Sequence, residues 1–222
     1  MTKQSKKSKA RRANVNRKRQ TGGIRGFLPG RGLFPDTYVG QMTYGRTFTF
    51  PTAAITMVLT TLRLNSIYDP DYSGAGTSAA SYSEASAIYG RYRVFEAIVE
   101  ADAGIDSGNS MQFLACASCD NTLGTDPNRV LAQRHVVSRA VMPGGNAVRQ
   151  RMTIPIHKLY GVPKQQVMAE DDFAAPMGAN PNNQLFMHIG FWNPGVTVTT
   201  GFVSVRIVYK VKLSIPLLMS QL

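Results

Sequence analysis

From Val203 to Ile215 the chain alternates with a period of two. Val203, Val205, Ile207, Tyr209, Val211, Leu213 and Ile215 fall on one side, and Ser204, Arg206, Val208, Lys210, Lys212 and Ser214 on the other. A helix turns every 3.6 residues and would scatter these positions around its circumference. A strand puts all seven apolar residues on one face. That face belongs in a core, and the opposite face meets solvent or charge.

The same period recurs upstream. Gln41 to Phe50 alternates Met42, Tyr44, Phe48 and Phe50 with small or polar residues. Ile55 to Leu64, Tyr92 to Ala103, Ser110 to Ser118, Arg134 to Val141, Ala147 to Ile156 and Leu185 to Trp192 also read as strands, separated by turn residues such as Pro143-Gly144-Gly145. In the third run Phe95, Ala97, Val99 and Ala101 face one way, and Glu96 and Glu100 the other. Residues 67–90 and 157–183 are long loops, the second acidic at Glu170, Asp171 and Asp172. Helix is confined to a short piece over 81–89 and a turn near Val130. Eight strands with two long loops predict an all-β fold, an eight-stranded antiparallel jelly roll built as a two-sheet sandwich. An immunoglobulin-like sandwich, with shorter and more even loops, is the competing arrangement.

Charge divides the chain. Of its 25 Lys and Arg, eleven lie in the leader: Lys3, Lys6, Lys7, Lys9, Arg11, Arg12, Arg17, Lys18, Arg19, Arg25 and Arg31. The first acid is Asp36, so 14 bases face 13 acids in the remainder, and the net +12 sits almost wholly on the leader. A run of like charge with few apolar side chains cannot bury enough surface to fold alone. The expected organisation is a disordered basic arm with a Gly/Pro hinge over 1–35 and a shell-like β domain over 36–222. The arm's cations bind phosphate by charge, with little preference for base sequence. Many such arms converging on one polyanion gain by multivalency, which suits a repeating assembly. No apolar stretch reaches the length of a membrane span, and no apolar segment of a secretory signal follows the basic start. No membrane insertion is expected.

Signals for enzyme chemistry are weak. The sequence holds no G-x-x-x-x-G-K-[ST], G-x-S-x-G or H-E-x-x-H. Cys116 and Cys119 form a C-x-x-C, but on a strand the two thiols point to opposite faces. His135, His157 and His188 are too scattered to complete a zinc site. Plain buried cysteines are the expectation, and no cofactor is expected. Asp69 and Asp71 around Pro70 read as a turn, with a paired-carboxylate or metal site as the alternative. Glu96, Glu100, Asp102 and, beyond them, Asp106 cluster near one polar strand face. They fit a solvated face, partners for bases on a neighbouring chain, or a cation between subunits. Arg134, Arg139, Arg149, Arg151, Arg206, Lys210 and Lys212 are basic strand positions that either extend the work of the arm or form an ordinary wet face.

Two segments carry a resemblance. Leu62-Arg63-Leu64-Asn65-Ser66-Ile67-Tyr68-Asp69-Pro70-Asp71-Tyr72-Ser73-Gly74 ends an early strand, and Ile88-Tyr89-Gly90-Arg91-Tyr92-Arg93-Val94 opens a later one. With the basic arm ahead of them, they resemble the capsid proteins of small circular single-stranded DNA viruses, the circovirus-like group that encodes its own replication initiator. The resemblance implies a single jelly roll and a self-assembling T=1 shell of sixty identical subunits. It also implies an internal arm that packages a single-stranded genome, DNA ahead of RNA. The chain would then be a structural virion protein rather than an enzyme, present in the host nucleus during assembly. Its partners would be a nuclear import receptor that reads the arm as a localisation signal, and a host cell-surface receptor. The alternative is a cellular nucleic-acid-binding protein with a basic tail, ribosomal or chromatin-associated.

Overall fold

The computed structural model describes residues 35–106 and 108–216. Residues 1–34, and with them the basic leader and all eleven of its cations, lie outside the described residues.

Nine strands run β1 (Thr37–Thr52), β2 (Thr56–Arg63), β3 (Tyr89–Ile105), β4 (Met111–Ser118), β5 (Val136–Val141), β6 (Val148–Pro155), β7 (Ala175–Pro176), β8 (Phe186–Asn193) and β9 (Thr199–Pro216). Helices fill the connections: α1 (Tyr82–Ile88), α2 (Pro127–Leu131), α3 (Ile156–Tyr160) and α4 (Lys164–Ala169), with a 3-10 turn at Asp171–Phe173. The segment read as a loop over 157–183 therefore holds α3, most of it, then α4, the 3-10 turn and β7. These pieces are too short for their sequence period to show above the loop composition.

The antiparallel pairing is nested. β1 pairs with β9, β2 with β8, β3 with β6, and β4 with β5. The first half of the chain thus lies against the second half in reverse, like one long hairpin with its tip between β4 and β5. Rolling that hairpin adds the pairs β9 with β3 and β8 with β4. The result is two sheets, ordered β1-β9-β3-β6 and β2-β8-β4-β5, with β7 attached to β3. This order is the jelly roll, and it excludes the immunoglobulin arrangement. The eight principal strands match the expectation, and the two-residue β7 is the ninth.

The long alternation of β9 follows from its place between β1 and β3. Val203, Val205, Ile207, Tyr209, Val211 and Leu213 are each at most 3% exposed, all in the core between the sheets. Ile215, expected on that face, is instead 54% exposed with φ of 57°. A left-handed backbone at a β-branched residue ends the alternation there. Phe95 departs too. The β3–β9 register shifts between Val94 and Glu96, so Val94 takes the core position and Phe95 is the extra, half-buried residue.

The second sheet is covered on both faces. Met57, Leu114, Cys116, Leu123 and Val130 form a separate small core, so the β4–β5 connection and its helix α2 close over the outer side. Asp126 caps α2 by accepting from the Asn128 amide at 2.9 Å. His188 pins the same connection. Its Nε2–H donates to the Asp120 carbonyl (2.9 Å), so Nδ1 is left to accept from the Thr61 hydroxyl (3.1 Å). Burial holds its pKa below the ordinary 6.5, against the opposing pull of Asp120. The neutral ring belongs to the folded state, so this contribution to stability is full above pH 6.5 and is lost as the pH falls through the depressed folded value. We expect the urea midpoint of the wild type to drop between pH 7.5 and pH 5 by more than that of His188→Gln, which keeps an amide donor but does not titrate.

Gly190 marks where β8 approaches β2. A Cβ there would run into the Val58 carbonyl oxygen and lie 2.9 Å from the Leu59 Cα, both backbone atoms that cannot step aside. Gly190→Ala is expected to cost about 1–3 kcal/mol or more in denaturant unfolding. An unchanged midpoint would show that the two strands can separate locally.

Candidate nucleic-acid interface

The outer face of β1-β9-β3-β6 is where the body's charge collects. Cross-strand register sets Arg149 opposite Asp102, and Arg151 opposite Glu100. Glu100 in turn faces Arg206, Glu96 faces Lys210, and Arg93 faces Lys212. Period-two alternation, offset by one residue at the Phe95 bulge, sends all of these away from the core. Arg149 Nε meets Asp102 at 2.8 Å, Arg206 meets Glu100 at 3.1 Å and Arg151 meets it at 3.6 Å, while Lys210 pairs with Glu96. The carboxylate cluster read from β3 is therefore real, and its partners are bases on adjacent strands of the same chain. Among the described residues no group of three or more His, Cys, Asp or Glu is placed to hold a metal.

Arg91 and Arg93 join this face from the start of β3, two residues apart. Asp171, from the 3-10 turn, lies 3.0 Å from Arg91 and 3.8 Å from Arg93. Arg93 is 8% exposed, donates to the carbonyls of Met168 and Glu170, and leaves its Nε buried without a partner among the described residues. Burial lowers its pKa, with Asp171 opposing. Seven cations share this face, Lys212 among them, and six of them pair with four carboxylates, a surplus of three on one face of a body that is otherwise close to neutral. The outer pairs are wet. Arg149, Arg151 and Arg206 have side chains 83%, 65% and 59% exposed. Such pairs are worth about 1 kcal/mol at most, so a phosphate can replace a carboxylate at little cost.

Sequence reading put Arg149 with Arg151, and Arg206 with Lys210 and Lys212, on single strand faces, and the structure joins the two groups on one sheet face. It missed Arg91 and Arg93, whose odd positions match Phe95, Ala97 and Val99 in parity and are turned to this face only by the bulge at Phe95. One other assignment needs correction: Arg134 precedes β5 and is not a strand residue. Arg139 is a strand residue as read, but it lies on β5, opposite Phe113, in the other sheet.

The Asp69–Asp71 segment leads into a turn rather than forming one: Asp71 bridges antiparallel to Leu62, the turn from it is closed by the Gly74 amide donating to its carbonyl (3.0 Å), and the segment is locked from below. Asp71 is 1% exposed, accepts from the Ser73 amide (2.9 Å) and hydroxyl (2.8 Å), and pairs with Arg46. Arg63, 8% exposed, donates to the Asp69 carboxylate (2.7 Å), the carbonyls of Asp69 (2.9 Å) and Asp71 (3.1 Å), and the Gln184 side chain (2.8 Å). Its guanidinium lies 4.8 Å from the Tyr72 ring. Both aspartates are thus occupied by arginines, which leaves nothing for a metal. The two segments that carry the resemblance touch: the Ser66 hydroxyl is 3.2 Å from the Tyr92 hydroxyl.

The C-x-x-C is not a pair. Both thiols are free, Cys116 is buried under the β4–β5 connection, and Cys119, expected to be buried, is exposed because β4 ends at Ser118. Burial pushes the Cys116 thiol up to about 11, and Cys119 is also raised, so neither is an activated nucleophile.

No protein-family model matches the chain, and no curated protein matches it in sequence. Among solved structures it is similar to that of tobacco necrosis virus, at 12% identity over 84% of this chain and 86% of the other, with a TM-score of 0.49. It is also similar to the semi-empty virus-like particle of the Macrobrachium rosenbergii nodavirus of the giant freshwater prawn, at 11% identity over 84% of this chain and 98% of the other, with a TM-score of 0.45. The decameric BFDV capsid protein is similar at 9% identity over 80% of this chain and 99% of the other, with a TM-score of 0.40.

Proposed function

We propose that this chain is a virion capsid protein that associates with copies of itself into a closed icosahedral shell and packages a single-stranded genome through its basic leader. The observation that carries the reading is the placement of charge. Eleven of 25 cations precede Asp36, and the surplus of the near-neutral body is gathered on one sheet face. Leader and face are each cationic, and each contacts phosphate by charge without reading bases. The jelly roll supplies the other requirement. Its core is closed by nested pairing, so its loops are free to meet neighbouring copies. A T=1 shell of sixty subunits, a DNA genome, and import into the host nucleus through the same leader complete the proposal.

Electron microscopy of the purified protein tests it. Closed particles of uniform diameter that contain nuclease-protected nucleic acid are expected. A stable monomer or dimer that binds nucleic acid in solution would favour the cellular nucleic-acid-binding alternative instead.

A further inference from the structure

A second feature lies away from the charged face. Three loops meet in an open cleft of about 500 Å³: the turn after β2, the start of the β4–β5 connection, and the segment leading into β8. Tyr72, Asp120, Asn182, Asn183 and Gln184 line it, and no Lys, Arg or His does.

The backbones of Asp120 and Asn183 are fastened while the polar ends of Asp120, Asn182 and Asn183 are left free. The Asp120 carbonyl holds His188, and the Asn183 carbonyl accepts from Tyr160 (2.5 Å) and from the buried Asn65 (2.7 Å). Gln184 Oε1 is held by Arg63, which turns the amide nitrogen away from that contact. Tyr72 is braced by Arg63 and by an edge-to-face contact with Phe186 at 5.3 Å, and it remains 39% exposed. The Asp120 carboxylate and the side-chain amides of Asn182 and Asn183 make no hydrogen bond among the described residues. The loops thus present a carboxylate, four amides (one of them, Asn121, donating to the Tyr72 hydroxyl at 2.8 Å) and an aromatic ring around one space.

That set of groups selects its ligand. A phosphate or sulfate would meet a carboxylate and no cation. An apolar ligand would strip water from amides and leave them unpaired. Sugar hydroxyls both donate and accept, so they match carboxylate and amide together, and the C–H face of a pyranose suits a tyrosine ring. We propose that this cleft binds a neutral oligosaccharide, with Asp120, Asn182 and Asn183 bonding its hydroxyls and Tyr72 stacking on one ring. The role this gives the cleft, attachment to a host surface, rests on the reading of the chain as a virion protein; its chemistry does not.

A printed array of neutral, sialylated and sulfated oligosaccharides, probed with the purified protein, tests the assignment. Binding confined to neutral glycans is expected, weakened at least tenfold in Asp120→Asn and in the double variant Asn182→Ala/Asn183→Ala, with thermal midpoints and particle yield unchanged. Absence of neutral-glycan binding, preference for sulfated glycans, or binding unaffected by either variant overturns it. Loss of particles with sugar binding intact also overturns it, and assigns the cleft to contacts between copies. Glycan binding by a protein that forms no particles would sink the capsid reading and leave the cleft standing.

Discussion

Protein lacking residues 1–20 is expected to assemble but to carry little nucleic acid. The deletion removes nine cations: Lys3, Lys6, Lys7, Lys9, Arg11, Arg12, Arg17, Lys18 and Arg19. On single strands each neutralised phosphate contributes about 0.7 to the slope of log affinity against log salt, so the slope should flatten by roughly 6. Full-length protein, with those nine, Arg25, Arg31 and the surplus of three on the sheet face, should then lose roughly 10⁵–10⁶-fold in affinity between 50 and 200 mM salt. The truncated protein, left with Arg25, Arg31 and the surplus of three on the β1-β9-β3-β6 face, should lose only about 100-fold. Absorbance ratios of purified particles and a salt titration against a homopolymeric single strand measure both. If truncated particles keep their full nucleic-acid content, packaging belongs to the sheet face and the role assigned to the leader fails.

The second large effect is on stability. Arg63→Ala should cost about 3–5 kcal/mol, because a buried guanidinium with several partners cannot be removed without stranding them. The Asp69 carboxylate loses its ion pair, Gln184 Oε1 loses its donor, and Tyr72 loses the cation beneath its ring. For a domain of this size that corresponds to a fall in thermal midpoint of roughly 10 °C. Arg63→Lys should recover only part of the loss, since one ammonium cannot reproduce a planar fork that serves Asp69 and Gln184 at once. Trp192 fluorescence in urea reads the midpoint. A change below about 1 kcal/mol in Arg63→Ala would mean that water replaces the guanidinium and that the turn is not held from below.

Arg63 also shows how far sequence reaches. A turn near Asp69-Pro70-Asp71 was legible because Asp bonds its local backbone, here the Ser73 amide, although it begins at Asp71. Nothing local announced that Arg63 would join this turn to Gln184, 121 positions along the chain. The carboxylates of β3 were legible as one face, but their partners on β6 and β9 were not, and the face was left open between solvent, a neighbouring chain and a metal. Arg91 and Arg93 were passed over because their alternation put them on the side of Phe95, Ala97 and Val99; the bulge at Phe95 is what turns them to the face that carries Lys212. The bulge at Phe95 has no composition signal at all.

The sequence by itself determined the strands, the side of each that is buried, the near-neutral body and the cationic leader. These properties depend on neighbours two to four positions away, or on simple counts. Only the tertiary structure decided the nested pairing, the closure of the β4–β5 connection over the second sheet, the ion pairs of the outer face and the loop-lined cleft. Each of these joins segments tens to hundreds of residues apart. A strand's alternation states which face it buries but carries no label for the strand it will meet, and that choice is made when the hairpin rolls up and its faces compete for the same core.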